Sequence, residues 1–230
     1  TFAVFFHVFC LTFDVSRFTS VVSRKLFFMY DSILDFLNPL NLSEISDDNG
    51  YKEGQVGKAI RVYEDEFPDL DEVDVVIVGC TDQRGSALLH PSTAPFAIRS
   101  EFYNLFYWHQ DVRMADIGDV KTGKSSSDTY AALKMVLHEL QLANKTVIVL
   151  GGSHDLTLSQ YGAFADEKKA IDAVGVDALI DINLESPFRS ENFLMELLTA
   201  EPNYMQHYNH IGFQSYYVHP RMLETMDKLR

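Results

Sequence analysis

Two short polar clusters each follow an apolar run. Gly151-Gly152-Ser153-His154-Asp155 comes directly after Thr146-Val147-Ile148-Val149-Leu150, and Asp181-Ile182-Asn183-Leu184-Glu185 directly after Val176-Asp177-Ala178-Leu179-Ile180. In an open parallel sheet, ligands sit beyond the carboxyl ends of the strands, so polar groups at such places are the first candidates for chemistry. Successive side chains of an extended chain point to opposite faces, which sends Asp181, Asn183 and Glu185 to one side. Hard cations such as Mn²⁺ or Mg²⁺ favour carboxylate and imidazole ligands, so a neighbouring His154 would complete a partial metal site. A blander use of the same residues stays open. Ser153 or Asp155 can cap the helix that follows, His154 can be a loop residue, and Asp181 can cap a turn. The glycine pair lacks the spacing and the lysine of a phosphate loop.

Strand ends must deliver these groups, and the sequence supplies strands. Val73-Asp74-Val75-Val76-Ile77-Val78-Gly79 is rich in β-branched residues and ends in glycine, which predicts a strand buried on both faces of a parallel sheet. After a loop through Gln83-Arg84-Gly85-Ser86, residues 92–107 place Phe96, Ile98, Phe102, Leu105 and Phe106 at helical spacing, with Ser92-Thr93 as a cap. Met114 to Val120 reads as extended, and Ser127-Asp128 opens an amphipathic helix carrying Ala131, Leu133, Val136, Leu137 and Leu140. The pattern then alternates: strand 145–150, helix 156–165, strand 174–182, helix 191–199, strand 211–218. Such alternation implies an α/β fold, a parallel sheet with right-handed crossovers and helices on both faces.

Residues 30–68 are less regular, mixing a short helical pattern from Tyr30 to Phe36 with turn chemistry at Asp47-Asp48-Asn49-Gly50. A last helix starts near Pro220 and meets no cap or glycine before Arg230, which predicts a domain incomplete at its C-terminus. Residues 1–28 read as an atypical apolar extension. They crowd Phe2, Phe5, Phe6, Phe9, Phe13, Phe18, Phe27 and Phe28 together with no acidic residue but Asp14, and Met29 could be the true start. The apolar stretch is shorter than the roughly 20 residues that span a bilayer, and no basic segment precedes it as in a secretory signal. No membrane association is expected, and residues 29–230 are read as one α/β domain, within the size range of such domains.

Charge excludes another class of partner. The net charge is −14, and residues 31–74 hold 13 acidic side chains against only Lys52, Lys58 and Arg61. That surface repels phosphate backbones, so nucleic acid is not an expected partner. Cys10 and Cys80 lie far apart, and Cys80 closes an apolar run as a buried free thiol would, which reads as a reduced, cytoplasmic protein.

In order, Asp116-Ile117-Gly118-Asp119-Val120, Gly151-Gly152-Ser153-His154-Asp155 and Asp181 to Glu185 resemble the ureohydrolases: arginase, agmatinase and formimidoylglutamase. That family carries Asp-x-Gly-Asp-Val, Gly-Gly-Asp-His-Ser and Asp-Ala-His-x-Asp in this order. The resemblance runs from about Val73 to Val218 and is closest to the formimidoylglutamase-like branch. It is closest there through Thr81-Asp82-Gln83-Arg84-Gly85-Ser86 and His210-Ile211-Gly212-Phe213-Gln214-Ser215-Tyr216. It implies the three-layer arginase-like fold with its C-terminal part missing. It also implies two Mn²⁺ ions bridging a hydroxide that attacks the carbon of a small guanidino or formimino substrate, and a trimer or hexamer.

By that resemblance the metal residues are His154, Asp181, Asn183 and Glu185. Asn183 stands for the second histidine, Glu185 for the last aspartate and Ser153 for the aspartate of the second motif. An amide oxygen is a weaker donor than imidazole, and an added methylene moves a carboxylate by roughly 1 Å where metal bonds tolerate about 0.2 Å. Ser-x-Asp-x-Asp, the family's last motif, has no match up to Arg230.

Two functions follow from this reading. One is a manganese-dependent hydrolase of guanidino or formimino C–N bonds, formimidoylglutamase- or arginase-like. The alternative is a catalytically inactive ureohydrolase-fold protein with a binding or assembly role. A nucleotide-binding α/β protein is disfavoured, because no Gly-x-Gly-x-x-Gly follows Val73 to Val78.

Overall fold

A computed structural model describes residues 2–6, 9–13, 30–46 and 50–228. The chain starts with strands β1 (Phe2–Phe6) and β2 (Phe9–Phe13), which form an antiparallel hairpin. Short elements follow: α1 (Asp31–Leu34), β3 (Leu37–Asn38), α2 (Leu42–Ile45), α3 (Val56–Ala59) and β4 (Arg61–Val62). The regular part comprises β5 (Val75–Gly79), α4 (Ala94–Phe102), β6 (Met114–Val120), α5 (Ser126–Leu142), β7 (Thr146–Leu150), α6 (Thr157–Asp166) and β8 (Ile171–Val176). It ends with α7 (Phe193–Leu198), β9 (Met205–Ile211) and α8 (Pro220–Lys228).

Among the described residues all nine strands join one sheet in the order β3-β6-β5-β7-β2-β1-β8-β9, with β4 pairing the same strand, β6, that β3 pairs. The expected parallel blocks are present: β6, β5 and β7 run parallel to one another, and so do β1, β8 and β9. Between the blocks, β2 is antiparallel to both β7 and β1. Part of the apolar extension therefore lies in the middle of the sheet. The rest of it, Met29 included, lies outside the described residues, as do Asp47, Asp48 and Asn49.

Alternation along the strands divides the core between the two faces. Val76, Val78, Val147 and Val149 pack with Leu133, Val136, Leu137 and Leu140 of α5. Ile77 and Leu150 point the other way, against Tyr103, Val56 and Ile60. Helices thus cover both faces. Each fully buried Val, Leu or Ile contributes on the order of 1.5–3 kcal/mol relative to exposure.

Helix α5 is set by a capping box in which the Ser125 hydroxyl accepts the Asp128 N–H and the Asp128 carboxylate accepts the Ser125 N–H. The helix starts one residue earlier than Ser127, and Ala132 rather than Ala131 faces the core.

Three other expected boundaries move. Helix α4 is shorter than 92–107 and turns a different face inward: Phe96, Leu105 and Phe106 are exposed, while Arg99 and Tyr103 are buried. The reason is polar. Asp116 and Asp119 on β6 attract Arg99, whose Nε and Nη2 donate to Asp116 at 2.8 and 2.9 Å and whose Nη1 donates to Asp119 at 2.6 Å. Strand β8 stops at Val176 instead of reaching Ile182, because the Asp177 carboxylate accepts the Leu179 N–H at 3.0 Å and turns the chain. Strand β9 occupies 205–211 instead of 211–218, and Gly212, at φ +88°, ends it.

Candidate metal centre

Strand β7 delivers Gly151-Gly152-Ser153 to a single 3₁₀ turn, His154–Leu156, that leads into α6. Here only glycine fits at position 152, since a Cβ would lie 2.0 Å from the Asp82 carbonyl oxygen. The same loop is locked from the β5 side. Arg84 Nε donates to Asp82 Oδ1 at 3.0 Å, and its Nη atoms reach the carbonyls of Lys124 and Gly123 and the Thr129 hydroxyl. Asp155 is fully buried and accepts the Tyr130 hydroxyl. His154 is thereby held at the sheet's carboxyl edge by its neighbours' contacts, and Ser153 makes no side-chain cap.

From β8 come two carboxylates. His154 Nδ1 lies 2.8 Å from Asp181 Oδ2 and 3.7 Å from Asp177 Oδ2. One donor atom from each of the three residues falls within 4.8 Å of the others, the one such group among the described residues. Their side chains are 28%, 11% and 12% exposed for His154, Asp177 and Asp181. Burial disfavours the charged imidazole, but the Asp181 hydrogen bond and the charges of Asp181, Asp177 and Asp155 outweigh it and raise the His154 pKa above its ordinary value.

The cluster opens on a cavity of about 50 Å³ lined also by Thr157, Phe193, Leu194, Tyr208 and His210. One water needs roughly 10–15 Å³ on this measure, so an ion and a few waters fit. The Phe193 ring meets His154 edge-on at 6.5 Å. Imidazole with two carboxylates is a donor set suited to Mn²⁺ and similar divalent ions, and two converging carboxylates call for a cation between them. The residues fit one such ion.

The expected site residues divide. His154 and Asp181 meet; Asn183 and Glu185 do not line the cavity. The Asn183 side chain accepts the Glu185 N–H at 3.3 Å and donates weakly to Glu191, in a loop that has left the sheet. Asp177 takes part instead. Its signal was present: Asp177-Ala178-Leu179-Ile180-Asp181 carries the spacing of Asp-Ala-His-x-Asp four residues before the register first read, with Leu179 at the histidine's place. The first motif, Asp116 to Val120, holds Arg99 in the core. Its Gly118 has φ +81°, and a Cβ there would lie 2.1 Å from the Asn38 carbonyl oxygen.

Solved structures give independent measures of likeness. Formiminoglutamase of Trypanosoma cruzi, solved with Mn²⁺, superposes at TM-score 0.61 with 15% identity, covering 71% of this chain and 63% of its own. For formimidoylglutamase of Bacillus subtilis the TM-score is 0.59, the identity 18%, and the coverage 71% of this chain and 55% of the other. Agmatine ureohydrolase of Thermoplasma volcanium gives 0.57 and 19%, over 75% of this chain and 58% of its own. At these identities the likeness is one of fold, and the chain spans about 0.6 of each neighbour's length. Among curated proteins none matches. The sequence profile of the arginase family matches residues 73–227, the stretch that contains the Arg99 cradle, the glycine turn before His154 and both aspartates. By that match, which takes in well over half of it, the chain belongs to the arginase family.

Proposed function

We propose that His154, Asp177 and Asp181 hold a divalent cation, Mn²⁺ in the first place, in a hydrolase acting on the C–N bonds of small guanidino or formimino compounds. The observation that carries this is the convergence of one imidazole and two carboxylates at the carboxyl ends of β7 and β8, over a cavity of ion-and-water size. A bound cation would lower the pKa of a coordinated water and polarise the substrate's C–N carbon. The chain's own residues supply the frame. Gly152 and the Asp82–Arg84 lock fix the turn bearing His154, and the Asx turn at Asp177 fixes one carboxylate. Phe193, Leu194 and Tyr208 line the cavity beside them.

The test is a Mn²⁺ titration of the full chain, followed by assays for release of formamide, urea or ammonia from formiminoglutamate, arginine and agmatine. Wild type should take up Mn²⁺, and His154→Ala should lower the bound metal by at least about tenfold, as loss of a ligand does in comparable sites. Unchanged uptake in that variant would refute the assignment.

A second reading, a protein of the same fold that binds without catalysing, is favoured by one observation. Leu179, 43% exposed, stands where the motif has its second histidine. Metal uptake without turnover of any of the three substrates would support it.

A further inference from the structure

Two residues of β9, Tyr208 and His210, line the cavity beside the centre and lie outside both strand-end clusters. In the β8–β9 ladder, Gly175 pairs with His210 and Ala173 with Tyr208, so both side chains rise on the face that also carries Asp177. A Cβ at Gly175 would lie 2.3 Å from the Tyr208 hydroxyl and 3.1 Å from His210 Nδ1. The pair is seated in space that only a glycine leaves.

Its hydrogen bonds run in one direction. His210 Nε2 lies 3.1 Å from the carbonyl oxygen of Asp177, and a carbonyl only accepts, so Nε2 carries the proton. In the neutral ring Nδ1 is then an acceptor, and the Tyr208 hydroxyl donates to it at 2.8 Å. On its other side the Asp177 N–H donates to the Ile211 carbonyl at 3.1 Å. Asp177 is the residue at which the chain leaves the sheet, and both its backbone polar groups are held by β9.

We propose that Tyr208 and His210 are positioning residues: through the fixed relay Tyr208 O–H to His210 Nδ1 and His210 Nε2–H to the Asp177 carbonyl, they aim the Asp177 carboxylate at His154 and Asp181. This rests on the reading of those three residues as a cation centre. In metal sites, loss of a partner that orients a ligand typically costs about 10–100-fold in affinity. Here the orientation acts through the ligand's backbone, because the Asp177 side chain is already committed to the turn through the Leu179 N–H.

The experiment is Mn²⁺ binding to the full chain, by calorimetry and by the Mn²⁺ electron-spin resonance spectrum, in four variants whose fold is checked by circular dichroism. His210→Phe keeps a ring and removes the donor, and should weaken Mn²⁺ binding by about 10–100-fold. His210→Gln places an amide N–H near the position of Nε2 and should stay within about fivefold of wild type, the value of one neutral hydrogen bond. Tyr208→Phe and Gly175→Ala should weaken binding and broaden the spectrum.

Wild-type affinity in His210→Phe would overturn the proposal, and so would equal losses in the Phe and Gln variants, which would mark a packing role only. If His210→Phe does not fold, Tyr208→Phe decides, since it removes one oxygen and keeps the ring. Unchanged affinity and spectrum there would overturn the relay. Failure of the underlying reading looks different: wild type would then show no Mn²⁺ uptake that His154→Ala abolishes.

Discussion

Asp177 and Asp181 lie four residues apart, and between them Leu179 stands in the frame of a metal-binding histidine. Leu179→His, between the two converging aspartates, should therefore raise divalent-cation occupancy, whereas Asn183→His should leave it unchanged, because the Asn183 side chain is engaged with Glu185 and Glu191 in the loop beyond them. Metal analysis of the two purified variants after Mn²⁺ loading separates the registers; a gain from Asn183→His alone would restore the first one. His154 was legible because a glycine pair after a β-branched run marks a strand end whatever the fold's details. Asp177 carried its signal only in the Asp-Ala-x-x-Asp spacing, because β-branched and apolar residues continue past it to Ile182 and conceal where the strand stops. Periodicity cannot see an Asx turn. Arg99 was hidden for a related reason: helical spacing weights apolar side chains, and the residue that decides the buried face of α4 is a cation. Asp116 accepts four hydrogen bonds, from Arg99 twice, from the Tyr103 hydroxyl and from the Gly118 N–H. Asp116→Ala should cost about 3–5 kcal/mol in urea unfolding, the penalty for removing one partner of a buried ion pair.

At the scale of elements, the loop after β5 and the turn after β7 behave as one unit. Asp82 and Arg84 bridge them to α5, and a Cβ at Gly85 would lie 2.0 Å from an oxygen of the buried Asp155. Burial alone would raise the Asp82 pKa, but the hydrogen bonds from Arg84 and Thr129 prevail and hold it below its ordinary value. The sign follows from linkage. A depressed folded-state pKa gives stability that is present above the unfolded value of about 3.9 and is lost as pH falls through the folded one. Arg84→Met should accordingly lose about 1.5–3 kcal/mol near neutrality, the range for a charged hydrogen bond, and less near pH 3, below the unfolded value. Urea unfolding of both proteins at the two pH values checks this. A pH-independent difference would mean that Arg84 acts by packing alone. The sequence showed this loop only as a polar break. Strand and helix types were legible for β5, β6, β7, α5 and α6 because their apolar positions alternate by two or recur near 3.6 residues. The boundaries at β8 and β9 were missed where polar turns and Gly212 interrupt that pattern.

For the molecule as a whole, the two halves of the candidate centre belong to different parallel blocks. His154 follows β7, the aspartates follow β8, and the ladder between those strands passes through β2 and β1. Deleting residues 1–13 should lower Mn²⁺ affinity by at least about tenfold, as displacement of ligands does, while leaving most of the helical circular dichroism. Wild-type affinity in the shortened chain would show that helix packing alone sets the spacing. Composition marked this segment as unlike the rest without revealing its place, since an apolar stretch carries no record of which strands it will pair with. Among the described residues, no helix is long and apolar enough to cross a membrane.

The hairpin has a temporal consequence as well. Phe2 pairs with Asp172, so β1 waits for a strand far along the chain before it is paired on both sides. The β5–β6–β7 block, built from near neighbours in sequence, can condense early, but closing the long loop to β8 slows the step that brings Asp177 and Asp181 to His154. Competence to bind metal would then be acquired late in folding, after most secondary structure has formed.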